Sequence, residues 1–163
     1  MTTRSIPHLI IGFGKAGKTL AADLAKHGES VILVEQSAAM YGGTCINIGC
    51  IPSKLLLVEG EKSARLTDKS AAFQAAMQRR EQLTSALRAA NYNKLATIPG
   101  VEILTGTARF LSPNVVEVST EDGACQIEAE RIYINTGARP ATLALEGADE
   151  CSMTAMVGPV CIE

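Results

Sequence analysis

At 163 residues, 47% hydrophobic and 20% charged, the chain has the make-up of one globular domain with enough apolar surface for a core, which excludes disorder. A formal net charge of -2 and fifteen dispersed Lys and Arg leave no basic stripe for nucleic acid or an anionic membrane, so a small-molecule partner is expected. The stretch before Leu9-Ile10-Ile11 holds no apolar run of signal-peptide or membrane-span length, and the cytoplasm is the expected location.

His8-Leu9-Ile10-Ile11 reads as a buried strand. From Ala16, the residues Leu20, Ala21 and Leu24 recur at helical spacing as far as Gly28, a natural helix stop. Val31-Ile32-Leu33-Val34-Glu35 is a second β-rich run, so residues 8–35 predict a βαβ unit and a parallel sheet. Pro52 suits the first turn of a helix that runs through Leu57 toward Leu66. A long helix follows over 70–95, with Leu83, Leu87 and Ala90 as its apolar face and Arg79, Arg80 and Arg88 in solvent. Pro99-Gly100 ends it. Short strands over 101–105, 108–111, 115–118 and 126–128, separated by Ser112-Pro113-Asn114 and Asp122-Gly123, predict an antiparallel meander. A last strand spans 131–135 and stops at Thr136-Gly137. The fold class is therefore α/β, with a parallel sheet, a helical hairpin and a β-meander.

Gly12-Phe13-Gly14-Lys15-Ala16-Gly17 satisfies G-x-G-x-x-G between a strand and a helix, the context that gives this pattern meaning. Gly12 allows the tight turn, Gly14 lets backbone approach a pyrophosphate, and Gly17 lets helix pack on strand, with helix-terminal N–H groups aimed at phosphate. Glu35 closes the second strand 23 positions after Gly12, the offset of a carboxylate that accepts from ribose hydroxyls. Gly12, Gly17, Lys18 and Thr19 also match the P-loop pattern literally. That reading leaves Gly14 and Glu35 without a role and offers no strand-end Asp for magnesium.

Of five cysteines, Cys125, Cys151 and Cys161 stand alone and read as small buried hydrophobes. Cys45 and Cys50 share the segment Gly42-Gly43-Thr44-Cys45-Ile46-Asn47-Ile48-Gly49-Cys50-Ile51-Pro52-Ser53-Lys54, at the mouth of a helix. A helix N-terminus stabilises a thiolate, and Cys50, nearer the helix, gains most. A turn at Gly49 would let the two sulfurs approach. Zinc is disfavoured, because neither His8 nor His27 stands at ligand spacing from the pair, and His27 reads as a helix-end residue.

The glycine loop, the acid and the cysteine segment together resemble the pyridine nucleotide-disulfide oxidoreductases: dihydrolipoamide dehydrogenase, glutathione reductase and mercuric reductase. Within them, residues 12–19 and Met40-Tyr41-Gly42-Gly43 look most like the reactive-chlorine-resistance and mercuric-reductase-like flavoproteins. The resemblance implies a Rossmann-like FAD-binding domain whose loop, with Lys15, Ala16 and Gln36 included, takes FAD. It places Glu35 on the adenosine ribose and Gly43 and Thr44 near the phosphates. It places Ala108 at the adenine, and Thr136-Gly137 at a turn touching FAD where Asn135 stands in for the usual alanine. Cys50 would face the flavin, Cys45 would exchange with substrate, and Lys54 would lie near the flavin edge. NAD(P)H is the implied donor, a thiol, disulfide or metal ion the implied substrate, and a homodimer the implied assembly.

The resemblance covers residues 6–139. It implies a partial FAD-binding domain at 1–140 that lacks the NAD(P) and dimerisation domains and the C-terminal His-Glu pair. Residues 141–163 read as an atypical tail, truncated or frameshifted. Two readings follow: a component of an FAD-dependent NAD(P)H:disulfide or metal-ion oxidoreductase, or an FAD-binding fragment without turnover.

Overall fold

A computed structural model describes residues 3–138. Six strands, β1 (Thr3–Ile11), β2 (Val31–Glu35), β3 (Val101–Thr105), β4 (Thr107–Phe110), β5 (Val115–Thr120) and β6 (Gly123–Ile134), form one sheet in the order β3-β2-β1-β6-β5-β4. The helices are α1 (Lys15–Lys26), α2 (Thr44–Asn47), α3 (Cys50–Ser63) and α4 (Lys69–Ala96). Pairing is parallel from β3 through β2 and β1 to β6, and antiparallel from β6 through β5 to β4. The expected βαβ unit and helical hairpin are present, but the meander comprises only β4, β5 and β6: the strand over 101–105, expected as its first member, pairs parallel with β2 at the opposite edge of the sheet, because α4 carries the chain over to that side. The tail expected at 141–163 lies outside the described residues.

The continuous apolar runs of β1 and β2 are explained by burial on both faces. Leu9, Ile32 and Val34 pack with Val116, Val118, Ile127 and Ala129 of the meander. Their neighbours Ile10, Val31 and Leu33 point the other way, toward Phe13, Ala21 of α1 and Leu95 of α4. The strands expected separately over 126–128 and 131–135 are one strand. β6 pairs antiparallel with β5 as far as Val115↔Glu128 and parallel with β1 as far as Ile11↔Ile134. Its central alternation of buried Ile127 and Ala129 with exposed Glu128 and Glu130 is continuous, so the charged residues between the two expected strands are its wet face.

The face of α4 also differs from expectation. Leu83 and Ala90 are exposed, whereas Ala76, Thr84 and Leu95 are buried. The helix packs through polar residues as well as apolar ones, so counting leucines located the wrong stripe. Nor are Arg79 and Arg88 merely solvated: Arg79 pairs with Glu59 of α3, and Arg88 Nη2 lies 2.8 Å from Glu81 Oε1. Asp68 starts α4 by accepting from Ala71 N at 2.9 Å, and α3 ends at Ser63, short of Leu66.

Arg4 of β1 grips Glu102 of β3 with both guanidinium nitrogens, Nη1 lying 2.7 Å from Oε1. The hydrogen bond from Arg4 holds the Glu102 carboxyl below the usual carboxylate range. A lowered folded value means that the stabilisation is present above the unfolded carboxylate pKa and is lost as pH falls through the folded value. Both side chains are about two-fifths exposed, at 39% and 42%. Glu102→Gln should therefore cost about 1 kcal/mol or less at pH 7. The urea midpoints of variant and parent should converge as pH falls through the lowered Glu102 value.

Candidate functional site

The glycine loop is built where three strand ends meet. Gly12 N donates to Val34 O at 2.7 Å, and Asn135 N donates to Ile11 O at 2.8 Å. Gly12 has φ +110°, and a Cβ there would strike the Asn135 carbonyl. Gly14 caps α1 without a side-chain acceptor, and Gly17 is buried against Ile10 and the Gly12 carbonyl. Lys15 and Ala16 are exposed at the first turn of α1, whose leading N–H groups have no intrahelical partner. Gly43, at φ +79°, lies so close to the loop that a Cβ would sit 2.6 Å from Gly14 Cα. The two glycine turns thus lie backbone against backbone, since a Cβ on Gly12, Gly17 or Gly43 would meet neighbouring main chain, and this close approach together with the unpartnered N–H groups at the start of α1 fits a dinucleotide pyrophosphate there.

Glu35 ends β2 beside this loop. Its Oε2 accepts from Phe13 N at 2.8 Å and its Oε1 from Ser37 N at 3.3 Å, so the carboxylate braces the loop from the position read for a ribose contact. Gln36 follows, exposed. Gly106 N donates to Glu35 O at 2.9 Å, which sets the start of β4, and with it half-buried Ala108, near the same strand end. Thr136 and Gly137 leave β6 exposed, with Thr136 N 3.3 Å from where a Gly12 Cβ would stand.

Lys18 does not serve as the P-loop reading would require. Its Nζ lies 2.6 Å from Asn91 Oδ1 and 3.4 Å from Gly42 O, tying α1 and the second glycine turn to α4. Desolvation lowers its pKa. Tyr41 completes the brace by stacking on Tyr92 at 4.8 Å, leaning on Phe13 at 5.3 Å and bonding Thr105 through its hydroxyl. Asn47 Nδ2 donates to the carbonyls of Tyr41 and Gly43, both at 3.0 Å, and Arg88 reaches Asn47 Oδ1 at 3.4 Å.

On this platform Thr44 and Cys45 begin α2, and Cys50 is the first residue of α3, with exposed Lys54 one turn further on. The two cysteines therefore belong to successive helix starts rather than to one. Both are exposed thiols. A hydrogen bond with Cys50, helped by desolvation and by the Cys50 charge, pushes the Cys45 thiol up, against the weaker opposing pull of Lys18 and Lys54. Alkylation of Cys45 in the reduced chain should thus need higher pH than an ordinary thiol, and Cys50→Ala should move the profile back down. Mass-spectrometric rates with iodoacetamide across about pH 6–10 measure this; a profile unmoved by Cys50→Ala would sink it.

The bracing residues Asn135, Lys18, Asn47 and Tyr41 were not among the expected site residues. Lys18 and Tyr41 drew notice only as motif letters, and Asn135 only as a departure from alanine. Among the described residues, no group of three or more His, Cys, Asp or Glu is placed to hold a metal ion, and no helix is long and apolar enough to cross a membrane.

A family profile described as pyridine nucleotide-disulphide oxidoreductase matches residues 6–157. The probable pyridine nucleotide-disulfide oxidoreductase RclA of Escherichia coli is 47% identical over 131 residues, covering 80% of this chain and 28% of that protein. A mercuric reductase of Streptomyces lividans is 36% identical over 154 residues, covering 86% of this chain and 32% of the relative. A solved structure, the Cu(II) complex of the HOCl-induced flavoprotein disulfide reductase RclA from Escherichia coli, superposes with a TM-score of 0.79 at 43% identity. It covers 87% of this chain and 31% of that one. The chain thus spans about a third or less of the length of these relatives. Family members are flavoprotein disulfide reductases that use FAD and NAD(P)H. With its Rossmann-like fold, glycine cradle and paired thiols, the chain belongs to the pyridine nucleotide-disulphide oxidoreductase family.

Proposed function

We propose that residues 3–138 supply the FAD cradle and the redox-active pair of an FAD-dependent NAD(P)H:disulfide or metal-ion oxidoreductase. The observation that carries this reading is the placing of the exposed thiols Cys45 and Cys50 at two successive helix starts, directly after the turn that packs against the glycine loop. The pyrophosphate would rest on Gly12, Gly14, Lys15, Ala16, Gly17, Gly43 and Thr44. Glu35 and Gln36 would face the adenosine ribose, Ala108 the adenine, and Thr136 and Gly137 the flavin half. When bound, FAD supplies two-electron transfer between NAD(P)H and a disulfide. The chain's part is to hold the Cys45–Cys50 disulfide, which takes two electrons and two protons to become two thiols. Cys50 would stand toward the flavin, Cys45 would carry the exchange with substrate, and Lys54 would offer positive charge beside them.

The substrate class is a small thiol or disulfide, or a metal ion that two thiolates can grasp. Mercuric reductase among the relatives and the Cu(II) complex of RclA support the metal-ion branch. A cytoplasmic homodimer is the assembly that fits the family, with residues 1–140 as the FAD-binding part. The test is to purify the protein, measure flavin absorbance, and follow NAD(P)H oxidation with a disulfide, Hg(II) or Cu(II). A colourless protein that takes up no added FAD would overturn the proposal. Flavin binding without turnover would leave the binding half standing and favour the fragment reading.

A further inference from the structure

Asn135 occupies the hollow on the inner side of the glycine loop. Its Nδ2 donates to the Gly12 carbonyl at 3.0 Å. The same nitrogen lies 3.1 Å from where a Cβ on Gly14 would stand and 2.7 Å from where one on Gly17 would stand. Its backbone N–H holds Ile11 at 2.8 Å, so main chain and side chain fasten the loop at both ends of the Ile11–Gly12 step. One half-buried amide therefore touches the surroundings of all three motif glycines.

This contact turns the Gly12 carbonyl inward. The loop's outward side keeps the unpartnered N–H groups at the start of α1, which is the polarity an anion requires. A glycine-rich loop left alone samples many shapes, and ordering it on binding weakens affinity by the fraction of time it spends in the wrong ones. Part of the demand for glycine at Gly14 and Gly17 therefore comes from Asn135 beneath the loop as well as from a ligand above it.

We propose that Asn135 is a positioning residue that sets the glycine loop in its pyrophosphate-receiving shape before the nucleotide arrives. The proposal rests on the FAD reading above. Asn135→Asp keeps the size and removes the donor, and Asn135→Ala removes the amide altogether. Each is prepared free of flavin alongside the parent, and two quantities are measured: amide hydrogen exchange over residues 12–18, and association and dissociation rates of FAD by flavin fluorescence.

Both variants should exchange faster in the loop, while β4 and β5 keep parental protection. FAD should bind about tenfold more weakly, the value of one well-placed hydrogen bond, with most of the loss in the association rate. Parental loop exchange in both variants overturns the proposal, as does a loss of protection spread evenly over the whole chain. If the parent takes up no FAD, the flavin reading fails by itself, and the exchange measurement still decides the role of Asn135.

Discussion

Gly12→Ala should yield a chain that retains no flavin and is destabilised by about 3 kcal/mol or more, the sum of a left-handed backbone penalty and a steric overlap. The first term follows from φ +110°, a conformation that L side chains rarely adopt. The second is unusual because the obstacle is backbone: the added carbon meets the Asn135 carbonyl, with its carbon only 2.7 Å away. That carbonyl cannot swing aside cheaply, because Asn135 N is held by Ile11 O and its side chain by the Gly12 carbonyl. Two other glycines calibrate the result. Gly28 has φ +86° but open space, so Gly28→Ala should cost only about 1 kcal/mol. Gly60, in the body of α3 with nothing near, should be stabilised by about 0.5–1 kcal/mol on Gly60→Ala. Urea unfolding of the three variants checks the order, and a Gly12→Ala chain no weaker than Gly28→Ala would sink the account.

The same contrast shows what was legible beforehand. The period-two and period-3.6 patterns located β1, β2, α1 and the meander because their core residues are apolar and their turns carry Gly, Pro and Asn. Glu35 and the motif glycines were legible from spacing, since a tight strand-to-helix turn demands them in fixed order. The buried face of α4 was not, because polar contacts from Arg88 and Asn91 help seat a helix whose leucines partly face solvent. Asn135 was invisible as a functional residue for a related reason. Its partner is a backbone carbonyl 123 positions away, and local sequence has no signal for a donor that acts across the sheet. The Cys45 and Cys50 spacing pointed to proximity, yet the extra helix start at Thr44 is a consequence of positive φ at Gly42 and Gly43, which composition alone does not assign.

Under the proposed function, Cys45→Ser and Cys50→Ser should each retain flavin and lose disulfide or metal-ion reduction by on the order of 10³-fold or more, the scale expected when one member of a reacting unit is removed. With a disulfide acceptor the exchange needs both sulfurs: one thiolate attacks the acceptor and releases its first thiol, the other then displaces the second thiol by closing the internal disulfide, which two electrons and two protons would return to two thiols. With oxygen in place of either sulfur the pair cannot close, so the exchange with the acceptor would not complete. The fold should not register either change. Both thiols are exposed, neither belongs to a core cluster, and serine is at home at the start of a helix. The cradle is braced by Lys18, Tyr41, Asn47 and Asn135 through contacts that do not involve sulfur. Thiol titration should therefore count two thiols fewer in the oxidised than in the reduced parent and no such difference in either variant, at unchanged melting temperature. Two single variants that both keep activity within about tenfold of the parent would remove the cysteine pair from the reaction, because no losses of that size fit a two-sulfur exchange.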